Sequence, residues 1–263
     1  MEKKIILNPV KTYARFENYH WWFIARRRIV REIVLQILPP SRNSLIIDIG
    51  CGPGANIAAF AATHPCLGVD NSAEAIQIAR ERYPMVRFLE GIYPLDLGET
   101  TREAKLFLIM DVVEHLENPR VMLENIVASA SVGAYFLVTV PADPTLWSAH
   151  DIAVGHFRRY TTNSLAALFT GLQLVPIILT PYNSRLFYVI KALRFMNWLL
   201  RRGFARSASE GTDLRIPPYP FNGILTALFS YEAIPISRAL RNRTPSPFRR
   251  GVSLIYLLQK SGG

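Results

Sequence analysis

The sequence predicts an α/β protein with a parallel sheet and helices on both faces. Three observations carry this expectation. Short apolar runs alternate with helical patterns through the first half of the chain, and parallel neighbours need such crossover connections. The first run, Leu45-Ile46-Ile47-Asp48-Ile49, passes straight into Gly50-Cys51-Gly52-Pro53-Gly54 and then into a helical pattern. The second run, Leu67-Gly68-Val69-Asp70, also ends in a carboxylate.

Taken in order, residues 19–38 read as a helix that starts at Tyr19-His20-Trp21-Trp22-Phe23 and stops at Pro39-Pro40. Strands are expected at 44–49, 66–70, 86–89, 105–110 and 134–140, with helices near 54–62, 72–82 and 119–130. After Pro141 the rhythm changes. Residues 141–161 form a polar segment rich in His and Arg, too long for a plain connector. A helix capped by Thr161 or Thr162 is expected over 162–170, and a strand near 173–180. A basic, aromatic helix follows over 184–202, then a linker over 203–220. A further helix over 221–242 is expected to break at Pro235, and a last strand begins at Val252. The organisation is thus an N-terminal cap helix over 1–43, a core over 44–182 with a substrate loop at 141–161, a basic helical addition over 183–250, and a terminal strand over 251–263.

Charge is placed unevenly. Residues 32–155 carry a net −8, whereas 1–31 carry +6 and 156–263 carry +12. Basic flanks of this kind point to an anionic partner: a phosphorylated or otherwise anionic small molecule, or an anionic membrane face. Nucleic acid is set aside, because no recognised RNA-binding module accompanies the arginines. Cys51 and Cys66 show neither metal nor disulfide spacing, which suits a reducing compartment. The run at the N-terminus is too short for a signal peptide, and no apolar stretch is long enough to span a bilayer. The expected location is therefore the cytoplasm, including the inner face of its membrane. There the 186–202 segment could lie in the interface.

The glycine turn removes side chains where a backbone must approach a small polar ligand. Asp48 stands where it can accept from a ligand's ammonium group, and Asp70 can accept from both hydroxyls of a ribose. The same turn also satisfies the looser dinucleotide pattern G-x-G-x-x-A, so an NAD-dependent oxidoreductase is one reading. Three segments together favour another. Ile47-Asp48-Ile49-Gly50-Cys51-Gly52-Pro53-Gly54, Gly68-Val69-Asp70-Asn71-Ser72 and Asp111-Val112-Val113-Glu114-His115-Leu116 resemble the motifs of class I S-adenosylmethionine-dependent methyltransferases of the bacterial type 11/12 group. That resemblance covers residues 44–140. It implies a Rossmann-like, seven-stranded sheet whose last strand, at 251–259, inserts antiparallel. It implies S-adenosyl-L-methionine as cofactor. Asp48, Gly50, Gly52 and Gly54 would line the methionine half, Asp70 the ribose, Asn71 and Ser72 the adenine, and Asp111 the region of the methyl group. Many relatives carry Gly-Asp after the third strand. This chain has Glu90-Gly91-Ile92, so backbone groups of Gly91 and Ile92 are expected to replace that contact.

Methyl transfer needs alignment, exclusion of water and, for a hydroxyl acceptor, removal of a proton. Asp111, Glu114 and His115 fall at i, i+3 and i+4, on one side of a helical turn. Ubiquinone-pathway and small-RNA methyltransferases use a similar Glu-x-x-Glu-His pattern with a divalent metal. Here the first acid is Asp and no further ligand is evident, so no metal is expected. His115 is then a packing or adenosine contact. The long loop is the better candidate for chemistry. His150 or His156 is expected to act as base, with Asp151 orienting it, and Arg158, Arg159 and Tyr160 are expected to bind the acceptor. His20-Trp21-Trp22-Phe23 and Arg26-Arg27-Arg28 resemble the start of one subgroup, where the first helix covers the cofactor and one arginine holds its carboxylate. The resulting expectation is methyl transfer to an oxygen of a small-molecule or lipid- or glycan-linked acceptor. The alternatives are the NAD-dependent oxidoreductase and a membrane-associated, non-catalytic relative.

Overall fold

The computed structural model describes residues 9–93, 96–203 and 215–262. Two helices open the chain, α1 (Pro9–Phe16) and α2 (Trp21–Ile37). Strands and helices then alternate: β1 (Leu45–Ile49), α3 (Ala55–Ala58), β2 (Cys66–Asp70), α4 (Ala73–Arg82), β3 (Arg87–Glu90), α5 (Thr100–Glu103), β4 (Ala104–Met110), α6 (Pro119–Ser129) and β5 (Tyr135–Pro141). The remainder comprises α7 (Ala149–Ala153), α8 (Thr162–Phe169), β6 (Leu174–Tyr182), α9 (Phe187–Gly203), α10 (Phe221–Ser230), α11 (Ala233–Asn242) and β7 (Ser253–Lys260).

The seven strands form one sheet in the order β3-β2-β1-β4-β5-β7-β6. Neighbours from β3 to β5 are parallel, whereas β7 runs antiparallel to both β5 and β6. The reversed last strand is therefore present, inserted between its two predecessors. The central strands are apolar on both sides because helices cover both faces. Ile46, Leu106, Leu108 and Leu137 pack with Ile29 and Ile33 of α2 and Ile236 of α11. Ile47, Ile49, Phe107, Ile109 and Val138 pack with Leu123 and Ile126 of α6 and Leu165 of α8. Asp48 alternates with Ile47 and Ile49, so it falls on the face that α2 covers.

Several elements differ from expectation. Regular helix after the glycine turn is limited to α3, and α1 was not foreseen. The break in the 221–242 helix lies at Tyr231-Glu232, upstream of Pro235. Proline lacks an N–H and its ring crowds the carbonyl four residues back, so it sits in the first turn of α11 and the interruption precedes it. The linker expected over 203–220 lies outside the described residues for 204–214. Among the described residues, no helix is long and apolar enough to cross a membrane.

The N-terminal and C-terminal additions pack together. Asn222 of α10 accepts from the Trp21 backbone N–H at 3.0 Å and donates to the Tyr19 carbonyl at 2.9 Å. His20 caps α2 by accepting from the Trp22 N–H at 3.3 Å. Burial pushes its pKa down to about 4, against an opposing backbone hydrogen bond at Arg215. An acceptor ring nitrogen must be unprotonated, so the unfolded chain binds a proton that the folded chain refuses. Stability is complete above pH 6.5 and falls as the pH drops toward 4, by about 3 kcal/mol in all. Urea midpoints at pH 7 and pH 4 should show this loss. The His20→Asn variant, which keeps a capping acceptor without titrating, should lose less by that amount; identical pH dependences would refute the assignment.

All parallel strands end at one edge of the sheet. There Gly50, Gly52 and Gly54 adopt left-handed φ of 69°, 54° and 91°, and Asp111 adopts 56°. A non-glycine residue held there costs about 1–3 kcal/mol, and such strain concentrates at functional edges.

Candidate functional site

The turn after β1 is held from both sides. The Gly50 and Cys51 N–H groups donate to the Val69 carbonyl at 2.8 and 3.0 Å. Gly52 N–H donates to Asp70 Oδ2 at 2.8 Å, while Asp70 Oδ1 accepts from Ser72 N–H at 2.9 Å. Two of the glycines are demanded by packing. A Cβ on Gly50 would stand 2.7 Å from Val112 Cγ2, and one on Gly54 would stand 2.8 Å from Phe88 Cζ. Gly52 is different: a Cβ there meets nothing within 4 Å. Its side of the turn faces open space, as a ligand cradle requires. Cys51 is buried, and burial raises its thiol pKa well above the ordinary range, so it fills space and is no nucleophile.

Beside the turn, α2 delivers Arg26, which is only 4 % exposed. Its guanidinium pairs with Asp111, donates to Asn56 Oδ1 at 3.3 Å and lies 4.5 Å from the Trp22 ring centroid. Its Nε has no hydrogen-bond partner. Asp48 is 1 % exposed, and its Oδ2 is also unpartnered. Burial pushes the Asp48 carboxyl up to about 8, with Arg26 pulling the other way. Thr139 Oγ1 donates to Asp111 Oδ1 at 3.1 Å, and the Asp111 N–H donates to the Thr139 carbonyl at 2.9 Å, fixing the strained residue. An unpartnered buried acceptor and donor next to an open cradle suit a zwitterionic amino-acid group. This arrangement fits the methionine end of S-adenosylmethionine.

Further along the edge, Asn71 is exposed. Gly91 N–H donates to the Asp70 carbonyl at 3.0 Å, and Ile92 N–H donates to Asp96 Oδ2 at 2.8 Å. Both N–H groups expected to replace the missing acid are thus engaged within the chain, that of Ile92 by Asp96.

The loop after β5 is pinned to the turn after β4. Phe157 N–H donates to the Glu114 carbonyl at 2.8 Å. Arg158 donates to the carbonyls of Leu116 and Glu117 at 3.0 and 2.8 Å. Arg159 forms a two-pronged pair with Asp151, at 2.8 and 3.0 Å, and donates to the Ala142 carbonyl at 3.0 Å. Tyr160 is buried, its hydroxyl 3.4 Å from the Val113 carbonyl. These three residues, expected to bind an acceptor, have donors engaged in holding the loop. Asp151 also accepts from the Ser148 N–H at 2.8 Å and pairs with His156 Nδ1 at 3.0 Å. Burial alone would raise its carboxyl, but hydrogen bonds from His156 and Arg159 and the Arg159 charge hold it well below the usual range. The His150 ring centroid lies 6.4 Å from that of His156.

The expected trio of Asp111, Glu114 and His115 is split. Asp111 turns to Arg26, whereas a tight 3₁₀ turn over Val113–His115 aims Glu114 and His115 at the loop. Glu114 is fully buried, neither carboxylate oxygen has a hydrogen-bond partner, and burial pushes its pKa up to about 8. His156 Nε2 lies 3.9 Å from Glu114 Oε1, and the His115 and His156 ring centroids are 4.7 Å apart.

The profile of a methyltransferase-domain family matches residues 22–177. Trans-aconitate 2-methyltransferase of Paracidovorax citrulli is 36 % identical over 87 residues, covering 32 % of this chain and 30 % of that one. The protein of the same name from Methylobacterium radiotolerans is 28 % identical over 144 residues, covering 52 % of each. The chain therefore spans about a third to a half of the length of these curated relatives. Among solved structures, the [4+2]-cyclase SpnF superimposes with a TM-score of 0.58 at 16 % identity, covering 98 % of this chain and 93 % of that one. The plantazolicin methyltransferase BpumL, in complex with SAH, gives 0.54 at 14 % identity, covering 92 % and 85 %. At such identities the superpositions speak for the fold.

Proposed function

Because the chain belongs to the methyltransferase-domain family, we propose that it is an S-adenosylmethionine-dependent methyltransferase acting on a carboxylate oxygen of a small anionic acid. The observation that carries the cofactor half is the buried, unpartnered pair Asp48 Oδ2 and Arg26 Nε beside the open Gly52 turn. The acceptor half is supported by the relatives named trans-aconitate 2-methyltransferase. The family assignment displaces the NAD-dependent reading of the glycine turn.

When bound, the cofactor supplies an electrophilic methyl group on a sulfonium. Asp70 would hold the two ribose hydroxyls, and Asp48 would accept from the ammonium group. Arg26 would meet the carboxylate, and Asp111 keeps that guanidinium in place. Asn71, the Gly91-Ile92 backbone and Asp96 would border the adenine. Asp151 binds Nδ1 of His156, so the Nε2 edge faces Glu114 and the approach of the acceptor. Arg158, Arg159 and Tyr160 act by holding the loop that carries His150 and His156. A carboxylate acceptor is already ionised, so no proton has to be removed; the chain's work is alignment and exclusion of water. Two free, buried cysteines support the expectation of a reducing compartment.

A second reading takes a hydroxyl of a lipid- or glycan-linked acceptor, with His156 as base. It is favoured by the Asp151–His156 pair and by an exposed apolar row, Phe221, Ile224, Leu228, Tyr231 and Ile234. Incubation with methyl-labelled S-adenosylmethionine and a panel of di- and tricarboxylic acids, trans-aconitate included, separates the two. The expected product is an ester whose label leaves as methanol in alkali. A base-stable product formed only with lipid vesicles would favour the second reading. A protein neither stabilised by the cofactor nor transferring its methyl would refute both.

A further inference from the structure

We propose that Glu114, His115 and His156 bind one divalent first-row transition cation, which receives the carboxylate of the acceptor. The inference rests on the anionic acceptor just proposed and gives that acceptor a counter-charge. Each of the three residues offers one ligand atom, and these atoms lie within 4.8 Å of one another. A cation with bonds of about 2.1 Å holds adjacent ligand atoms roughly 3 Å apart, so modest side-chain rotations close the set.

Two independent observations point to a ligand. Glu114 is completely buried, yet neither of its oxygens has a hydrogen-bond partner. A buried carboxylate in that condition is costly, and buried charges are normally paired or metal-bound. His156, moreover, is held from outside: its Nδ1 meets Asp151, itself clamped by Arg159. A carboxylate partner on the outer nitrogen is how metal-ligating imidazoles are oriented, leaving Nε2 for the ion. The two segments that supply the ligands are locked together by Phe157 and Arg158.

The donor set indicates the kind of cation. Two imidazoles and one carboxylate suit manganese, iron, cobalt or zinc better than magnesium or calcium, which prefer all-oxygen sites. Three protein ligands leave coordination positions open for a substrate oxygen. Two of the three local arginines already have their charge met by a carboxylate. Arg26 is engaged by Asp111, Arg159 by Asp151, and Arg158 by two carbonyls. A dication beside one ionised Glu114 leaves one net positive charge facing the acceptor.

The test uses tag-free, metal-stripped full chain titrated with Co²⁺, read by visible absorption and calorimetry. One equivalent is expected to bind and give a d–d spectrum. Glu114→Gln and His156→Ala should each weaken binding by about 100-fold or more. Asp151→Asn, which disturbs only the support of His156, should weaken it about 10- to 100-fold. In wild-type protein, Mn²⁺ should broaden the His115 and His156 imidazole resonances selectively, a readout that does not depend on any variant folding. Absence of stoichiometric Co²⁺ binding, or broadening elsewhere, overturns the proposal. S-adenosylhomocysteine affinity of the stripped protein is measured alongside. Its loss counts against the cofactor reading, whereas the cobalt and manganese signals judge the cation site.

Discussion

Replacing Gly52 by valine removes cofactor binding while the protein still folds. Gly52 has a left-handed φ of 54°, so a β-branched residue there costs about 1–3 kcal/mol. For a chain of this size that lowers the melting temperature by only a few degrees per kcal/mol. No protein atom within 4 Å opposes the new Cβ, so the two methyl groups project into the cradle. S-adenosylhomocysteine affinity should fall at least about 100-fold, roughly 3 kcal/mol. Gly54→Val is the contrast, since its Cβ would strike Phe88 at 2.8 Å and unfolding should dominate. Calorimetric titration of the folded Gly52→Val protein decides the matter. An affinity equal to that of the parent would place the cofactor elsewhere.

Arg26→Met has the second large effect, on stability and binding together. The guanidinium is buried against Asp111, faces the Asp48 carboxyl and lies beside the Trp22 ring. Removing one member of a buried pair strands the other charge and costs about 3–5 kcal/mol. Asp111 keeps some solvent contact, which puts the expected loss near 3 kcal/mol. The double variant Arg26→Met/Asp111→Asn removes the stranded charge and should regain most of that stability. It should not regain cofactor affinity, because no cation remains to meet the carboxylate. Urea denaturation and S-adenosylhomocysteine titration of the three proteins test both halves. Parental stability in the single variant, or parental affinity in the double variant, would contradict the role given to Arg26.

The two variants probe parts of the site that differ in how they are encoded. Gly52 and Asp70 are legible in sequence because each follows an apolar strand directly. The turn geometry and the strand-end position are properties of a few consecutive residues. In sequence, Arg26 is one of three neighbouring arginines. Which of them enters the core depends on the angle at which α2 crosses the sheet. The histidines show the same limit. His156 stood out as part of a titratable loop, and Glu114 and His115 as part of a strand-end motif. Their meeting depends on Phe157 and Arg158 fastening one loop to the other. Arg159 looked free to clamp an acceptor because its partner, Asp151, approaches only once α7 has formed.

By itself, the sequence determined the α/β class, the order of strands and helices through the core, and the glycine turn with its two carboxylates. Those features follow from short, continuously apolar runs buried on both faces, from left-handed backbone that glycine alone adopts freely, and from the short reach of consecutive residues. Tertiary structure alone decided the pairing of Arg26 with Asp111, the separation of Asp111 from Glu114, and the gathering of Glu114, His115 and His156. The pairing and the gathering join side chains carried on different elements. Their final distances are set by how helices and loops pack on the sheet, and no local pattern of residue types records that packing.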